Sequence, residues 1–535
     1  MKNILKFSLV IAAVSVLATG CIKEHFPHGS TVTGDQAAES PASAEGMAKA
    51  VAAYAGTANW SGSDIHNMFG LPSLMIVRDV YCNDMVEPAV SYSWYDTFAQ
   101  NTYQTGIYAH MQIMWLMQTK IASLCNDIIR TFPDPMAAVG ASRYNLGAAY
   151  AYRALVWLDM ARMYEFIPNP YTGDRPDIAH LTFPYLHENL SEDDARSNPR
   201  ISKEEMLGHL KRDLQLAIEL LEGSSFSDKN LPDQSVAYGI LARALMWEGD
   251  YAGAKEAAQN ALAVGSYTPL TEAQWTDPTT GFNSLTTQNS WMLCTRLSNE
   301  SSVVRTKLVN FSSWMASENS FGYASKDGSA YFYVDKRFYN QIADTDFRKK
   351  SWKAPAGSSL EIPYVPAQGE YGGPDELPEY VGIKFRPGNG EPNNYLVTCA
   401  VDIPLMRMEE MHFIIAECDA RSGNATTLAN FVRQYRNPSY TCTLSGDALV
   451  REVFFQKRIE FWGEGVMFFD YKRCPDLLRI ERAYSGSNHA QLAQFETQYG
   501  DLAPWFNVCI NEYETQENTA IVNNPDPTGT IKPGN

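Results

Sequence analysis

The sequence predicts a mostly helical protein in which helix pairs form a scaffold and a long irregular segment lies over it. Three observations predict this fold class. Helical periodicity fills most of residues 44–265 and 401–473, one stretch joins two Ala-rich helices through a short turn, and residues 266–400 lose the helical period. At 535 residues the chain is long enough to bury a large core. We expect one domain over residues 44–535, in which residues 474–535 form a C-terminal tail.

The N-terminus has the pattern of an export signal. Lys2 and Lys6 precede an apolar run too short for an ordinary membrane span, and small residues stand just before Cys21. We interpret residues 1–20 as a lipoprotein signal peptide, because L-A-T-G-C resembles a lipoprotein processing site, which makes Cys21 the acylated N-terminus. The alternative is ordinary secretion with a free Cys21. Residues 21–43, rich in Gly, Ser, Thr, Pro and Ala, are expected to form a flexible tether.

The composition argues against some classes of partner. The chain has 43 Lys+Arg against 61 Asp+Glu, for a net charge of -18, and loss of the two leader lysines brings the remainder near -20 (-18 minus 2). Such an acidic protein is a poor match for nucleic acid or for an anionic membrane surface. Aromatic residues make up 12% of the chain, more than a helical core needs, and surplus rings often serve contact surfaces.

Motifs for metal, cofactor or enzymatic chemistry are missing from the sequence. Nine cysteines are scattered singly, with no C-x-x-C pair and no Cys/His cluster at metal spacing. The sequence has no H-E-x-x-H, G-x-S-x-G or P-loop pattern. We therefore predict no metal, no cofactor and no catalytic residue.

The long helices are predicted from apolar periodicity and from their end signals. After an irregular aromatic stretch, helices are expected at residues 106–130 and 141–165, separated by the breaker T-F-P-D-P. Residues 202–222 form another helix, with Ser202 as its N-cap and two glutamates in its first turn. A further helix is predicted at residues 425–436.

Residues 233–264 carry the clearest repeat signal. Alanines, a turn glycine and two larger side chains recur there at tetratricopeptide-like spacing, with the small residues where two antiparallel helices must approach closely. These residues are Ala242, Leu245, Gly249, Tyr251, Ala254, Ala258 and Ala261. Helices are expected to resume at Pro404. Because a solenoid needs about three repeats, the other helix pairs would be degenerate members of the repeat, at residues 106–165 and 404–436.

Residues 266–400 are dominated by Gly, Pro, Ser and aromatic residues. A structureless loop of this length is uncommon in a compact domain. We therefore expect short helices, strands and packed loops that lie over the helical scaffold and form its ligand-facing region.

Residues 451–473 are expected to organise the scaffold. Apolar residues recur there at helical spacing until two glycines end the helix. Glu464 lies between these glycines, near the negative end of the helix dipole, so it needs a cationic partner. A chain that doubles back at the glycines would bring Lys472 or Arg473 onto Glu464.

Charged residues of this stretch match a family motif. The matching positions are Arg458, Glu460, Glu464, Gly465, Asp470 and Arg473. In this spacing the chain resembles the SusD/RagB family of surface nutrient-binding lipoproteins. Phe461 stands where that family usually has Leu, and Met467 replaces a usual Arg, which removes one of the motif's cations. We interpret the charged positions as a structural ion-pair motif.

Further matches extend the resemblance over residues 150–520. They are Arg153, Ala154, Met160, Tyr164, Asp346, Arg348, residues 384–388, Arg407, Glu410, Ala416 and Glu417. Glu165 departs from the pattern, since the family usually has Gly at that place. The resemblance implies a SusD-like fold.

Two pairs of carboxylates offer an alternative interpretation. Glu460 with Glu464, or Glu409 with Glu410, would supply the two carboxyl groups that glycoside cleavage requires. Glu460 and Glu464 lie among basic residues in a motif that ends a helix, so we favour a structural ion-pair role for them. A helical surface glycoside hydrolase remains the alternative.

Loop aromatics are the candidate ligand-binding residues. A sugar presents an apolar C–H face and a rim of hydroxyls, so its site needs flat rings beside polar side chains. In SusD-like proteins the loop before the first long helix helps to form the ligand surface, which favours the W-Y-D loop and a tryptophan of the central segment. The candidates are Trp94, Tyr95, Asp96, Asn101, Trp314 and Tyr323. For each ring the alternative is burial beneath a loop.

The resemblance implies a function as well as a fold. It implies an outer-membrane lipoprotein, anchored at the cell surface through Cys21, that captures an oligosaccharide or polysaccharide. The captured ligand would pass to a SusC-like TonB-dependent transporter. Members of the family also bind peptides or other nutrients, so that alternative stays open. A tetratricopeptide scaffold that binds only proteins is another alternative.

Overall fold

The computed structural model describes residues 41–58, 65–88, 93–360, 367–369 and 372–533. Helices make up 48% of the structure, which confirms the mostly helical fold class. The predicted signal peptide, Cys21 and most of the predicted tether lie outside the described residues. Within them, no helix has both the length and the apolarity to cross a membrane.

Long helices and short connecting elements form the N-terminal half of the scaffold. In chain order they are α1 (Pro41–Thr57), α2 (Leu71–Val80), β1 (Met85–Val86), α3 (Asp96–Ala99), α4 (Ala109–Arg130), α5 (Gly140–Tyr164), β2 (Leu181–Pro184), α6 (Glu192–Ala195), β3 (Arg200–Ser202), α7 (Lys203–Leu220), α8 (Gln234–Glu248) and α9 (Tyr251–Val264). The start of α7 agrees with its predicted cap, because the Ser202 hydroxyl accepts the Glu205 N–H at 3.1 Å.

Helices α8 and α9 form a hairpin across a two-residue turn. Gly249 ends α8 in the left-handed region with φ of 93°, and the Asp250 side chain caps α9 by accepting the Gly253 N–H at 2.9 Å. Ala254 and Ala258 are fully buried. Small side chains at these positions let the two helices pack closely.

The segment after α9 contains short elements. They are α10 (Glu272–Thr276), β4 (Trp291–Arg296), α11 (Ser302–Arg305), α12 (Phe311–Met315), β5 (Tyr333–Val334), α13 (Lys336–Gln341), β6 (Ala367–Gly369), β7 (Gly372–Asp375) and α14 (Tyr395–Thr398). Several 3-10 turns join them, among them Phe347–Ser351.

Helices return in the last part of the scaffold after a strand. The elements are β8 (Asp402–Arg407), α15 (Met408–Arg421), α16 (Thr426–Tyr435), α17 (Gly446–Phe461), α18 (Met467–Arg473) and α19 (Glu512–Glu517). The prediction that helix resumes at Pro404 is therefore wrong by four residues. Pro404 lies inside β8, which pairs with β4, and this distant strand overrides the local helical pattern.

Within the part of the chain that the structure describes, four two-stranded antiparallel sheets form: β1 with β5, β2 with β3, β4 with β8, and β6 with β7. The β4–β8 ladder runs from Trp291 opposite Arg407 to Arg296 opposite Asp402. It therefore fixes Arg407 at the end of a strand that leads directly into α15.

The long helices pack in series around one core. Helices α1 and α4 pack on α5, α5 on α7, α7 on α8, α8 on α9, α9 on α15, and α15 on α16 and α17. Their contact faces share a continuous hydrophobic core that includes Trp115 and Trp157. Helix α18 follows α17 after a short glycine turn and packs on α17 and α2.

Candidate functional site

The four predicted loop aromatics lie in one cluster. The rings of Trp314 and Tyr323 stack face to face, with centroids 3.7 Å apart and planes within 1° of parallel. Tyr95 meets Trp314 edge to face, with ring centroids 4.9 Å apart. Trp94, adjacent to Tyr95 in the chain, completes the group. The fold thus joins the loop before α3 to the central segment.

His66 links these rings and was missed by the sequence analysis. Its ring stacks on Trp94, with centroids 5.4 Å apart and planes 21° from parallel. Its backbone carbonyl accepts the Trp314 indole N–H at 3.1 Å, and its Nδ1 hydrogen-bonds to the Tyr323 hydroxyl. The only signal for His66 in the sequence is a single histidine in a polar, irregular stretch, which does not reveal distant aromatic partners.

The Tyr323 ring is positioned by a tight turn. Gly322 has φ of 85°, and a Cβ at this residue would lie 2.7 Å from the Ser313 hydroxyl oxygen, so only glycine fits. The Ser313 hydroxyl accepts the Tyr323 N–H at 3.2 Å. Ser313 is itself held by Asn310, the N-cap of α12, whose side chain accepts the Ser313 N–H.

The rings differ in their access to solvent. Tyr95 and Trp314 are 0% exposed and Tyr323 is 7% exposed, whereas Trp94 and His66 are partly exposed. In this structure Trp94 and His66 therefore form the accessible edge of the cluster, and the buried rings support it from beneath. We call the five rings of His66, Trp94, Tyr95, Trp314 and Tyr323 the aromatic cluster.

Of the two predicted polar residues, one is partly exposed and one is buried. Asp96 begins α3, next to Tyr95, and is partly buried; burial raises the pKa of its carboxyl group. Asn101 is fully buried and donates its side-chain N–H to the Pro527 carbonyl at 2.7 Å. Asn101 therefore ties this loop to the C-terminal tail.

Glu464 has cationic partners, but they are not the ones expected. The Lys384 ammonium lies 2.6 Å from one of its carboxylate oxygens and Arg407 Nε lies 2.7 Å from the other. Lys472 instead donates to the carbonyls of Met163 and Glu165 at the end of α5. The prediction that Lys472 or Arg473 pairs with Glu464 is wrong, because Glu464 turns towards β8 and the 384–388 loop.

Glu460 is the centre of a buried ion-pair network. Its carboxylate accepts from Arg436 at 2.8 and 3.0 Å, from Arg348 at 3.1 Å and from Arg407 at 3.2 Å. Burial by itself raises the pKa of Glu460, but Arg436, Arg407 and Arg348 outweigh it and hold that pKa well below its usual range. Glu460 thus stays ionised.

The network is balanced in charge. Asp346, Glu409, Glu460 and Glu464 provide four carboxylates, and Arg348, Lys384, Arg407 and Arg436 provide four cations. Each of these side chains is at most 5% exposed. Such pairs offset the large cost of desolvating the charges only when the set is complete.

The glycine turn fits tightly against α2. Gly465 has φ of 67°, and a Cβ there would lie 2.6 Å from Met75 Cα. The Gly463 N–H donates to the Asp79 carboxyl group at 2.5 Å. Burial raises the pKa of Asp79 to about 7, although the backbone N–H groups of Gly463 and Gly465 favour its ionised form.

The remaining charged positions of the motif form separate ion pairs. Arg458 pairs with Asp84 at 2.5 Å, and Asp470 accepts from Lys457 at 2.5 Å and from Arg473 at 2.6 Å. Arg473 also pairs with Glu417, which joins α18 to α15. These contacts hold the helices of the scaffold together. Among the described residues, no group of three or more His, Cys, Asp or Glu side chains is placed to hold a metal ion.

Comparison with solved structures shows the fold. A SusD-like carbohydrate-binding protein from Bacteroides vulgatus is 21% identical to this chain, with a TM-score of 0.67. The match covers 90% of this chain and 97% of the relative. A SusD superfamily protein from Bacteroides thetaiotaomicron is 16% identical, with a TM-score of 0.67, and the match covers 91% of this chain and 100% of the relative. Surface glycan-binding protein A from the same species is 14% identical, with a TM-score of 0.63, and the match covers 90% of this chain and 98% of the relative.

Comparison with protein families gives a direct assignment. No curated protein matches the chain significantly. The SusD family profile matches residues 247–528, more than half of the chain, and this match includes the ion-pair network and the 451–473 motif. The chain therefore belongs to the SusD family.

Proposed function

We propose that this protein is a cell-surface lipoprotein that captures an oligosaccharide or polysaccharide at the aromatic cluster. The observation that carries the proposal is the stacked pair of Trp94 and His66, partly exposed above the buried rings of Tyr95, Trp314 and Tyr323. His66 stacks on Trp94 and is itself held by Tyr323 and Trp314, so little side-chain entropy is lost when Trp94 binds a ligand.

The chemistry of this edge suits a sugar. The face of the Trp94 ring matches the apolar C–H face of a pyranose, and the nearby Asp96 carboxyl group offers oxygens to hydroxyl donors. The names of two solved relatives support this ligand class, since one is a carbohydrate-binding protein and another a surface glycan-binding protein.

The carboxylates of the scaffold support capture without cleavage. A glycosidase needs one carboxyl group that holds a proton at neutral pH. Glu460 is held ionised by three guanidinium groups, and Glu464 is occupied by Lys384 and Arg407. These groups are arranged for structural pairing, so we assign them no catalytic role.

A glycan panel tests the ligand class. We expect the wild-type protein to retain a saccharide without product release, and the Trp94→Ala variant to retain it much more weakly. Tyr499→Ala is the matched control, because Tyr499 is 51% exposed and lies outside the aromatic cluster. Released product would instead support a glycoside hydrolase. Binding of peptides alone would support the other nutrient class, and no small-ligand binding would leave a protein-binding scaffold.

The second part of the proposal is a handover to a transporter. The lipid anchor at Cys21 and the tether would keep the protein at the outer membrane, and the SusC-like TonB-dependent transporter implied by the family resemblance would receive the ligand. Co-purification from detergent-solubilised outer membranes tests this partner: the transporter should elute with the tagged protein. A transporter gene directly upstream would support the pairing, and absence of any transporter from the eluate would contradict it.

A further inference from the structure

An open groove of about 750 Å³ lies on the surface away from the aromatic cluster. It runs between the loop that leads into α10, the 3-10 turn Phe347–Ser351 and the end of α16, and it shares no residue with the aromatic cluster. Its volume is in the range of small-molecule binding sites. The lining residues are Thr268, Pro269, Leu270, Thr271, Glu272, Gln274, Thr345, Phe347, Gln434, Tyr435, Arg436 and Pro438.

The groove offers no uncompensated charge. Among the described residues that line it, only Glu272 and Arg436 are charged. Glu272 pairs with Lys350 at 2.6 Å. Arg436 is buried, pairs with Glu460 and Glu409, and donates to the Leu270 carbonyl at 2.8 Å. An ionic ligand would find no free partner here, so the lining favours a neutral molecule.

Two rings of the groove are partly exposed and supported from behind. Phe347 packs edge to face on the buried Trp275, with centroids 5.9 Å apart. Tyr435 packs on Phe431, with centroids 5.5 Å apart. Because each ring has a buried aromatic partner, its orientation is fixed before a ligand arrives. Rings fixed in this way suit the C–H faces of sugars.

Hydroxyl and amide side chains surround the rings. Thr271 and Gln274 hold each other in a capping box at the start of α10: the Thr271 N–H donates to the Gln274 side chain at 2.9 Å, and the Gln274 N–H donates to the Thr271 hydroxyl at 3.2 Å. The Gln434 side-chain N–H donates to the Tyr435 hydroxyl at 2.9 Å. Thr268 and Thr345 are exposed beside them. The Thr271 and Gln274 side chains are engaged with each other and with the Thr287 carbonyl, so Thr268, Thr345 and Gln434 are the groups that can hydrogen-bond to sugar hydroxyls.

We infer that this groove is a second saccharide-binding site, which takes a neutral segment of a glycan between Phe347 and Tyr435. The inference rests on the proposed function for its ligand class, because both sites would bind saccharides. A peptide is less well matched, since the elements that line the groove present no strand edge for β-pairing and no continuous apolar stripe for a helix.

Filling the groove tests the inference without disturbing the core. Thr345 is exposed, so Thr345→Trp places a large side chain in the groove, and Ser485→Trp adds the same side chain at an exposed residue elsewhere. The probe is a set of short neutral oligosaccharides from starch, xylan and mannan, measured by calorimetry on the intact protein. We expect Trp94→Ala to keep a weaker binding event that is insensitive to salt, and the added Thr345→Trp to remove it.

The outcomes separate the two proposals. If Trp94→Ala changes nothing while Thr345→Trp removes binding, the aromatic cluster is not a site and the groove is. If Trp94→Ala abolishes all saccharide binding, or Thr345→Trp behaves like Ser485→Trp, the groove inference is overturned and the aromatic cluster stands. Binding of a Pro-rich peptide in place of the oligosaccharides, lost in Thr345→Trp, would also overturn it. Tyr435→Phe, which keeps the ring, should retain more affinity than Tyr435→Ala.

Discussion

The Lys384 ammonium lies 2.6 Å from the Glu464 carboxylate, although 80 residues separate them in the chain. The side chains are 0% and 5% exposed, and Arg407 binds the same carboxylate. Burial lowers the pKa of Lys384, so its charge depends on the carboxylates around it. Glu464 therefore joins the glycine turn to both the 384–388 loop and β8.

Removal of the Glu464 carboxylate should destabilise the fold strongly. Glu464→Ala leaves the charges of Lys384 and Arg407 buried without this partner, and breaking a buried pair costs about 3–5 kcal/mol in the free energy of unfolding. Urea unfolding measures the change. Glu300→Ala is the control, because its ion pair with Arg305 is exposed and should contribute little. Normal stability combined with lost ligand binding in Glu464→Ala would assign Glu464 to a ligand site.

The two tryptophans of the aromatic cluster should respond differently to truncation. Trp314 is fully buried against Tyr323 and Tyr95, so Trp314→Ala should lower the free energy of unfolding by about 3–5 kcal/mol. Trp94 is partly exposed, so Trp94→Ala should reduce saccharide binding with a much smaller loss of stability. Calorimetry and urea unfolding of both variants check this difference. Equal losses of stability would place Trp94 in the core.

Asp79 should make stability fall as pH rises towards neutrality. Its folded-state pKa, raised to about 7 by burial, exceeds the ordinary value of 3.8, so between these values the folded protein holds a proton that the unfolded chain has lost. The unfolded state binds fewer protons there, and stability decreases with pH by about 4 kcal/mol across the window. Urea unfolding between these two pH values measures the trend.

Asp79→Asn isolates this group from other titrations. The amide oxygen still accepts the Gly463 N–H, but it does not titrate. The stability difference between wild type and variant should change across the window and be constant above it. A difference that is independent of pH would show that the Asp79 carboxyl group ionises at its ordinary pKa.

Cys21 should determine attachment to the membrane. Cys21→Ser removes the thiol that would carry the lipid, so the variant should lose incorporation of radiolabelled palmitate and leave the outer-membrane fraction. Cys442→Ser is the control, because Cys442 is a partly exposed free cysteine of the folded domain. Unchanged labelling of Cys21→Ser would support ordinary secretion in place of lipidation.

Local patterns in the sequence predicted most of the helical scaffold. Helix α7 begins after the predicted Ser202 cap, and α5 spans Gly140–Tyr164 against a prediction of residues 141–165. Such features depend on residues a few positions apart, so apolar period and capping chemistry suffice to find them. The family motif was also visible, because its charged positions lie within one short stretch.

Features that depend on distant segments were not predicted. Pro404 was assigned to a helix because its β4 partner is more than a hundred residues away. The partners of Glu464 were sought within ten residues, whereas the fold supplies Lys384 and Arg407. For the candidate site, the sequence identified the aromatic residues that meet in space. It did not show which of them are buried, because that depends on packing between distant segments: α12 lies against His66, which leaves Trp314 buried and Trp94 partly exposed.

The order of the ion-pair network along the chain limits when folding can finish. Its first six members, from Asp346 to Arg436, bring four cations and two carboxylates, and its last two, Glu460 and Glu464, are both carboxylates. A nascent chain that ends before Glu460 would have to bury two positive charges without counterions, so it cannot close its interior. The polypeptide therefore stays open until Glu460 and Glu464, which lie among its last 76 residues, have been synthesised, and a chain that stays open this long would suit the export that the proposed function requires.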